Sequence, residues 1–308
     1  MKQHFANAGL QKLCGLFGKT RQAYYDQGWR SSDDRLQEEL IVNLVKAQRV
    51  YLPKVGGLKL LYLLQADFIL HGIKIGRGSF FKLLRRNGLL IKRKRRYIQT
   101  TDSNHPYTKW PDLTKSFTLK AAEQLWVSDI TYIRTESGFV YLSLVTDAYS
   151  KKIVGYHLSQ HLRAQGCIIA LNKALKPLSQ PNKLIHHSDR GIQYCCDAYV
   201  SILKQHDIRI SMTQTGSTYD NAVAERVNGI LKDEWSLDKV FSSYSAAVAE
   251  VHNAVESYNR LRPHMSCGNL TPQQAHVIKG TLIKNWKNKT YCKAKSVTLL
   301  KSVKPYRH

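Results

Sequence analysis

The chain has 308 residues, of which 47 are Lys or Arg and 22 are Asp or Glu, giving a formal net charge of +25 at pH 7 with 43% hydrophobic content. This composition excludes general disorder and fibrous classes. No run of 18 apolar residues is present to span a membrane, since the most apolar window, Leu58 to Leu70, carries Lys59 and Asp67. The charge is segregated: residues 1–120 hold 23 basic and 8 acidic side chains, residues 121–275 hold 15 and 14, and residues 276–308 hold 9 and 0. A near-neutral middle between two basic ends is the distribution expected of a protein that displaces counterions from a nucleic acid.

The N-terminal third has helical grammar. Leu10, Leu13, Leu16 and Phe17 form one stripe, Gly18 breaks it, and Thr20 is placed to cap a second helix through Tyr24 and Tyr25. Ser31-Ser32-Asp33-Asp34 is expected to cap a further helix carrying Leu36, Leu40, Ile41, Leu44 and Val45, stopped by Pro53 and Gly56-Gly57. A second helix pair follows, with one helix from Leu58 through Gln65 and another from Arg77 to Asn87. Phe80, Phe81, Leu83 and Leu84 form the apolar side of the latter, and Lys82, Arg85 and Arg86 its basic side. Gly88 stands where a left-handed C-cap belongs. The helix leads into Lys92-Arg93-Lys94-Arg95-Arg96, five consecutive cations that would repel one another unless placed along phosphates or solvated in a linker. Residues 97–120 lack a sustained period and are expected to form a linker.

The pattern then changes. Residues 124–133, 139–147 and 151–160 read as three strands with short, hence antiparallel, connections. Next come a helix from Arg163 to Lys176, a strand at Lys183–Ser188, a helix near Ala198–Gln205, a strand at Ile208–Met212 and a helix from Asn221 to Glu234. This order predicts a mixed α/β sheet covered by helices.

Three carboxylates fall at distinctive positions in that plan. Asp129 lies within a strand that is apolar on both alternating faces, so it must be protonated, paired or metal-bound. Asp189 closes the strand ending His186-His187-Ser188, at the sheet edge where α/β proteins build their sites. Glu225 lies one turn into a helix, with Asn228 and Lys232 on the same face. If they converge, they form an oxygen-ligand site for hard divalent cations of the kind that drives in-line phosphoryl displacement. Taken singly, each has a plainer reading: Asp129 as the partner of Arg134 or Arg190, Asp189 as a turn residue, Glu225 as a first-turn acid favoured by the helix dipole.

The spelling Trp126-x-x-Asp129-Ile-Thr-Tyr-Ile, His187-Ser-Asp189-Arg-Gly-x-Gln-Tyr and Asp220-Asn-Ala-x-Ala-Glu225-x-x-Asn228 resembles the integrase core of bacterial insertion-sequence transposases, in particular the second-frame product of the IS-three family. The 35 residues between Asp189 and Glu225, Lys232 seven residues on, Tyr258-Asn259-x-x-Arg262-Pro263-His264 and Thr271-Pro272 extend the resemblance, as does Thr100-Thr-x-Ser-x-His105-Pro upstream; it covers about residues 10–275. It implies a ribonuclease-H-like core, a mixed five-stranded sheet with flanking helices, preceded by helix-turn-helix DNA-binding modules. It also implies a DDE triad of Asp129, Asp189 and Glu225 holding two Mg²⁺ (or Mn²⁺) ions, and DNA strand cleavage and transfer at insertion-sequence ends without a covalent protein intermediate. Asn228 and Lys232 would lie beside the site. The implied partners are element-end inverted repeats and target DNA, further copies of the chain on that DNA, and a small upstream-frame helix-turn-helix and coiled-coil product. A bacterial cytoplasmic, nucleoid-associated location follows, and unpaired thiols at positions 14, 167, 195, 196, 267 and 292 fit it.

The expected division is a helical DNA-binding region over 1–96, the linker over 97–120, the catalytic core with its C-terminal helix over 121–275, and a basic tail over 276–308. DNA contacts are expected from Lys82, Arg85, Arg86, Lys92, Arg93, Lys94, Arg95, Arg96 and Arg262, although Arg262 and His264 are equally suited to hold the C-terminal helix. Asp220 is a rival third acid better placed for capping, and Asp147 is expected in a turn. His186, His187, Cys195 and Cys196 match no standard zinc spacing and are expected to be structural. Two other functions compete: a non-catalytic DNA-binding regulator or decayed transposase, and a recombinase acting through one of 17 tyrosines.

Overall fold

The structure is a computed structural model; it describes residues 9–91, 106–115, 117–178, 183–214 and 222–285. Its centre is a sheet built on β1 (Leu125–Thr135), which pairs antiparallel with β2 (Gly138–Asp147) and parallel with β4 (Ile185–Ser188). Outside these lie β3 (Ile153–Ser159), antiparallel to β2, and β5 (Arg209–Met212), parallel to β4, giving the order β3-β2-β1-β4-β5. A sixth strand, β6 (Val240–Phe241), pairs with the far end of β1 and has no counterpart in the expected five. Two residues are too few to display an alternation.

Helices cover both faces. On one, α6 (Ala164–Leu175) and α8 (Asp197–Gln205) bury Cys167, Leu171, Tyr199 and Leu203 with Trp126, Val145 and Ile210. On the other, α9 (Ala222–Glu234) and α10 (Tyr244–Leu261) bury Val227, Leu231, Val251 and Val255 with Ile133, Leu142 and Leu144. This two-sided burial is why β1 is apolar on both faces. A four-residue helix, α7 (Ile192–Cys195), follows β4, and α11 (Pro272–His276) opens with a capping box between Thr271 and Gln274.

The N-terminal helices are α1 (Leu10–Leu16), α2 (Arg21–Tyr51), α3 (Gly57–Leu63), α4 (Gln65–Leu70) and α5 (Arg77–Arg86). Gly18 is left-handed at φ +62° and Thr20 Oγ1 accepts a bond from the Ala23 amide at 3.1 Å, so the helix break and the cap fall where expected. The expected new start at Ser31–Asp34 is corrected: α2 runs through it for 31 residues. Only Gly28 interrupts that stretch, and an internal glycine costs about 1 kcal/mol, which continued helix formation absorbs. The expected helix from Leu58 through Gln65 is instead broken at Leu64 into α3 and α4. Gly88 is left-handed at φ +65° after α5, the C-cap expected of it.

The module's apolar residues Ile41, Val45, Leu52, Leu60, Leu64, Phe68 and Phe80 join the same core as the α9 and α10 face of the sheet. The linker is not idle either. The Pro111 carbonyl accepts a bond from the Met212 amide at 3.3 Å, and the Leu113 amide donates to Ser211 Oγ at 2.9 Å, so residues 111–113 cover the β5 edge. Lys92 through Arg96, Asp220 and most of the expected basic tail lie outside the described residues.

Candidate active site

Asp129 is in the middle of the central strand, opposite Leu144. Its Oδ1 accepts from the Ile130 amide at 2.9 Å and its Oδ2 accepts from Asn228 Nδ2 on α9 at 2.6 Å. Burial pushes its carboxyl up to about 7, repulsion from Asp189 and, more weakly, from Glu225 adds to the rise, and the two hydrogen bonds partly offset it. Asp189 lies one residue beyond β4, where its Oδ1 accepts from the Gly191 amide at 3.0 Å. A Cβ on Gly191 would sit 3.0 Å from that same oxygen, so glycine keeps the turn open around the carboxylate.

Glu225 is in the first turn of α9 with its side chain exposed, and Asn228, one turn further, is buried. Asn228 Oδ1 is buried with no hydrogen-bond partner among the described residues. Lys232 follows with its Nζ 4.2 Å from the centre of the Tyr132 ring, a cation–π contact that ties α9 to β1. The structure thus brings Asp129, Asp189 and Asn228 together, with Glu225 near enough to act on Asp129 through charge. Among the described residues, no three Asp, Glu, His or Cys side chains are grouped closely enough to hold one ion. Completing a three-acid set requires the Glu225 side chain to turn inward.

The chemistry of the group fits a hard cation. It offers carboxylate and amide oxygens, an orphaned buried acceptor at Asn228 Oδ1, and a carboxyl whose ionisation is opposed by like-charged neighbours and would be restored by a positive ion.

The expected DNA contacts divide. Lys82 and Arg85 are exposed on α5. Arg86 forms an ion pair with Glu38 of α2, donating from Nε at 3.0 Å, so one of the three expected cations is already engaged within the module. Arg262 is placed differently from a phosphate contact. It is 2% exposed and donates to both Glu234 oxygens, at 2.8 and 2.6 Å, and its Nη1 lies 2.8 Å from His264 Nε2. Glu234 was missed in the sequence. A carboxylate at the C-terminal end of a helix opposes the dipole, and that anomaly is the signal that a dedicated cation faces it.

His186, His187 and Asp147 are engaged in hydrogen bonds within the fold. His186 Nε2 lies 2.8 Å from Ser128 Oγ and 2.9 Å from Tyr199 OH, and His187 Nδ1 lies 2.8 Å from Ser211 Oγ. Burial drives His186 down to about 3, so it is neutral. Asp147 accepts from the Ser150 amide at 2.7 Å and from the Glu123 amide at 2.8 Å, fixing the β2–β3 turn as expected. Trp126 is 1% exposed in the core.

An integrase core domain family matches residues 120–218, and a second integrase core domain family matches residues 206–272. The chain is 34% identical over 270 residues to the insertion element IS600 uncharacterized 31 kDa protein of Shigella sonnei, covering 84% of this chain and 96% of that one. It is 31% identical over 280 residues to the transposase InsF for insertion sequence IS3A of Escherichia coli K12, covering 89% and 96%. Among solved structures, the HTLV-2 integrase catalytic core domain in complex with magnesium superposes with a TM-score of 0.42 at 19% identity, over 51% of this chain and 97% of that one. A simian T-cell lymphotropic virus intasome in complex with the PP2A regulatory subunit B56 gamma gives 0.44 at 17% identity, over 76% and 74%.

Proposed function

From the premise that the chain belongs to the IS3 (IS-three) family of insertion-sequence transposases, we propose that it cuts and joins DNA strands at element ends by in-line displacement at phosphorus, with Asp129, Asp189 and Glu225 as its acidic triad. The observation that carries this reading is the buried Asp129 carboxyl, held by Asn228 of α9 at 2.6 Å and raised to about 7 by burial first and then by the charges of Asp189 and Glu225. Asp129, Asp189 and Glu225 would hold Mg²⁺ or Mn²⁺, two ions in the fully loaded site. Bound there, the ions supply Lewis-acid activation of the attacking oxygen and neutralise charge on the leaving one.

The protein's own groups prepare that chemistry. The Asn228 amide fixes the Asp129 carboxylate, and the Gly191 amide fixes that of Asp189. Lys232, held over Tyr132, stands seven residues beyond Glu225 to meet a DNA phosphate. Lys82 and Arg85 on α5, with Lys92 through Arg96, bind the terminal repeat. The chain works as a multimer on paired ends, together with an upstream-frame partner, in the bacterial cytoplasm, and residues 1–96 and 121–275 act as its DNA-binding and catalytic regions. Among the described residues no helix is long and apolar enough to cross a membrane.

One observation favours the non-catalytic reading: Glu225 is turned to solvent. Cleavage of a labelled duplex carrying the element end, with Mg²⁺ and with and without the upstream-frame partner, separates the two. Asp129→Asn, Asp189→Asn and Glu225→Gln are each expected to abolish cleavage while sparing DNA binding. Cleavage that survives any of the three overturns the triad, and a wild-type chain inert under both conditions supports the regulator.

A further inference from the structure

The C-terminal end of α9 is a buried ionic junction between three distant parts of the chain. Glu234, its last residue, takes the Arg262 guanidinium across both carboxylate oxygens, at 2.8 and 2.6 Å. It also lies 3.5 Å from Lys59 Nζ of α3, in the N-terminal module. The Glu234 carbonyl accepts from the amide of Lys54, just past α2, at 3.2 Å, and next to it Trp235 Nε1 donates to the carbonyl of Tyr51, the last residue of α2, at 3.2 Å. Tyr258 of α10 packs edge-on against Trp235 and His264, with ring centres 6.3 and 5.2 Å away, and walls the junction.

An α-helix is stiff along its axis, with a rise of about 1.5 Å and a turn of about 100° per residue. Whatever fixes Glu234 therefore fixes the rotation and height at which the same helix presents Asn228 to Asp129 and offers Glu225 to the site. Glu225 and Glu234 are nine residues apart, about 13 Å along the helix. The junction gathers partners from the N-terminal module and from the segment after α10 onto the same helix that carries Glu225 and Asn228.

We propose that the Lys59–Glu234–Arg262 junction is a positioning device for the acidic site: it locks α9 to the N-terminal helical module and to the segment after α10, and so sets the register in which Glu225 and Asn228 meet Asp129. The proposal rests on the triad reading above. Arg262, Glu234 and Lys59 are positioning residues, remote from the reacting atoms.

The test uses the full chain. Arg262→Lys keeps the charge but loses the two-pronged contact, Glu234→Gln keeps the shape but loses the charge, and Lys59→Met removes the module's cation at similar volume. Mn²⁺ binding to the DNA-free protein is read from the electron paramagnetic resonance of the free ion, alongside the Mn²⁺ midpoint for cleavage, affinity for element-end DNA, and the thermal midpoint. Arg262→Lys and Glu234→Gln are expected to weaken Mn²⁺ binding at least fivefold and to raise the cleavage midpoint in parallel, with DNA affinity within twofold of wild type. Lys59→Met is expected to do the same to a smaller degree. Unchanged Mn²⁺ binding in folded Arg262→Lys and Glu234→Gln overturns the proposal, as does a uniform loss of Mn²⁺ and DNA binding that tracks the fraction unfolded. Glu225→Gln serves as the reference: if it keeps wild-type Mn²⁺ binding and cleavage, the triad fails, whereas normal behaviour of the junction variants beside a defective Glu225→Gln fails the junction alone.

Discussion

Asp129 carries the residue-scale consequence most open to measurement. Its folded-state carboxyl is raised from an ordinary 3.8 to about 7, so the folded protein holds a proton that the unfolded chain releases. The stabilisation from that proton is complete below pH 4 and is lost as pH rises through 7. A shift of this size corresponds to at most about 4 kcal/mol at 1.36 kcal/mol per unit. Metal-free protein is thus expected to melt lower at pH 8 than at pH 6, and Asp129→Asn is expected to remove much of that difference in thermal scans. A pH dependence unaltered by the substitution would refute the assignment. Asn228→Ala takes away the hydrogen bond that restrains the rise, worth ~1.5 kcal/mol. The acid limb of the cleavage–pH profile should therefore move upward by about one unit; an unmoved limb counts against Asn228 as the group that holds Asp129 ionised. Gly191→Ala brings a methyl to 3.0 Å from Asp189 Oδ1 and is expected to reduce cleavage at least tenfold with little loss of stability.

Among the elements, α9 does the most. It carries Glu225, Asn228 and Lys232 on one face and ends in the Glu234 ion pair. Burial alone would raise the Glu234 carboxyl, but the bonded Arg262 outweighs it and holds the group ionised below the usual range. Truncating Arg262 to Ala leaves a buried carboxylate with only Lys59 near it, at a cost of ~3–5 kcal/mol. The denaturant midpoint should fall accordingly, and a near-neutral effect would mean that the pair adds nothing to stability. The strands and the central position of β1 were legible because two-sided burial demands apolar residues on both faces of a strand, as in Trp126 with Val127 and Ile130 with Ile133. The extent of α2 was not. Ser31-Ser32-Asp33-Asp34 has the chemistry of a cap, yet capping residues also sit inside a helix whose flanks propagate it. Glu234, Lys59 and Arg262 were illegible as a set because their contact spans 175 residues of sequence, and no local period marks such a pairing.

For the whole molecule, the controlling quantity is charge placement. The chain's +25 is concentrated at its two ends, and the Lys92–Arg96 run, outside the described residues, is proposed to lie along phosphates. Neutralising all five should reduce the slope of log affinity against log salt by about 4.5, because each neutralised phosphate contributes about 0.9; an unaltered slope removes that run from the interface. The overall plan, basic helices before an α/β core, could be read from composition and periodicity. The shared core of module and sheet could not, since hydrophobic patterning reveals which face is apolar but not what it meets. The most direct test of the acidic site is anomalous scattering from Mn²⁺ in crystals of the protein bound to element-end DNA. Manganese bonded to Asp129, Asp189 and Glu225 together, with Glu225 rotated inward, is the expected result. Manganese bound without Glu225, or absent from the β1–β4 edge altogether, would contradict it.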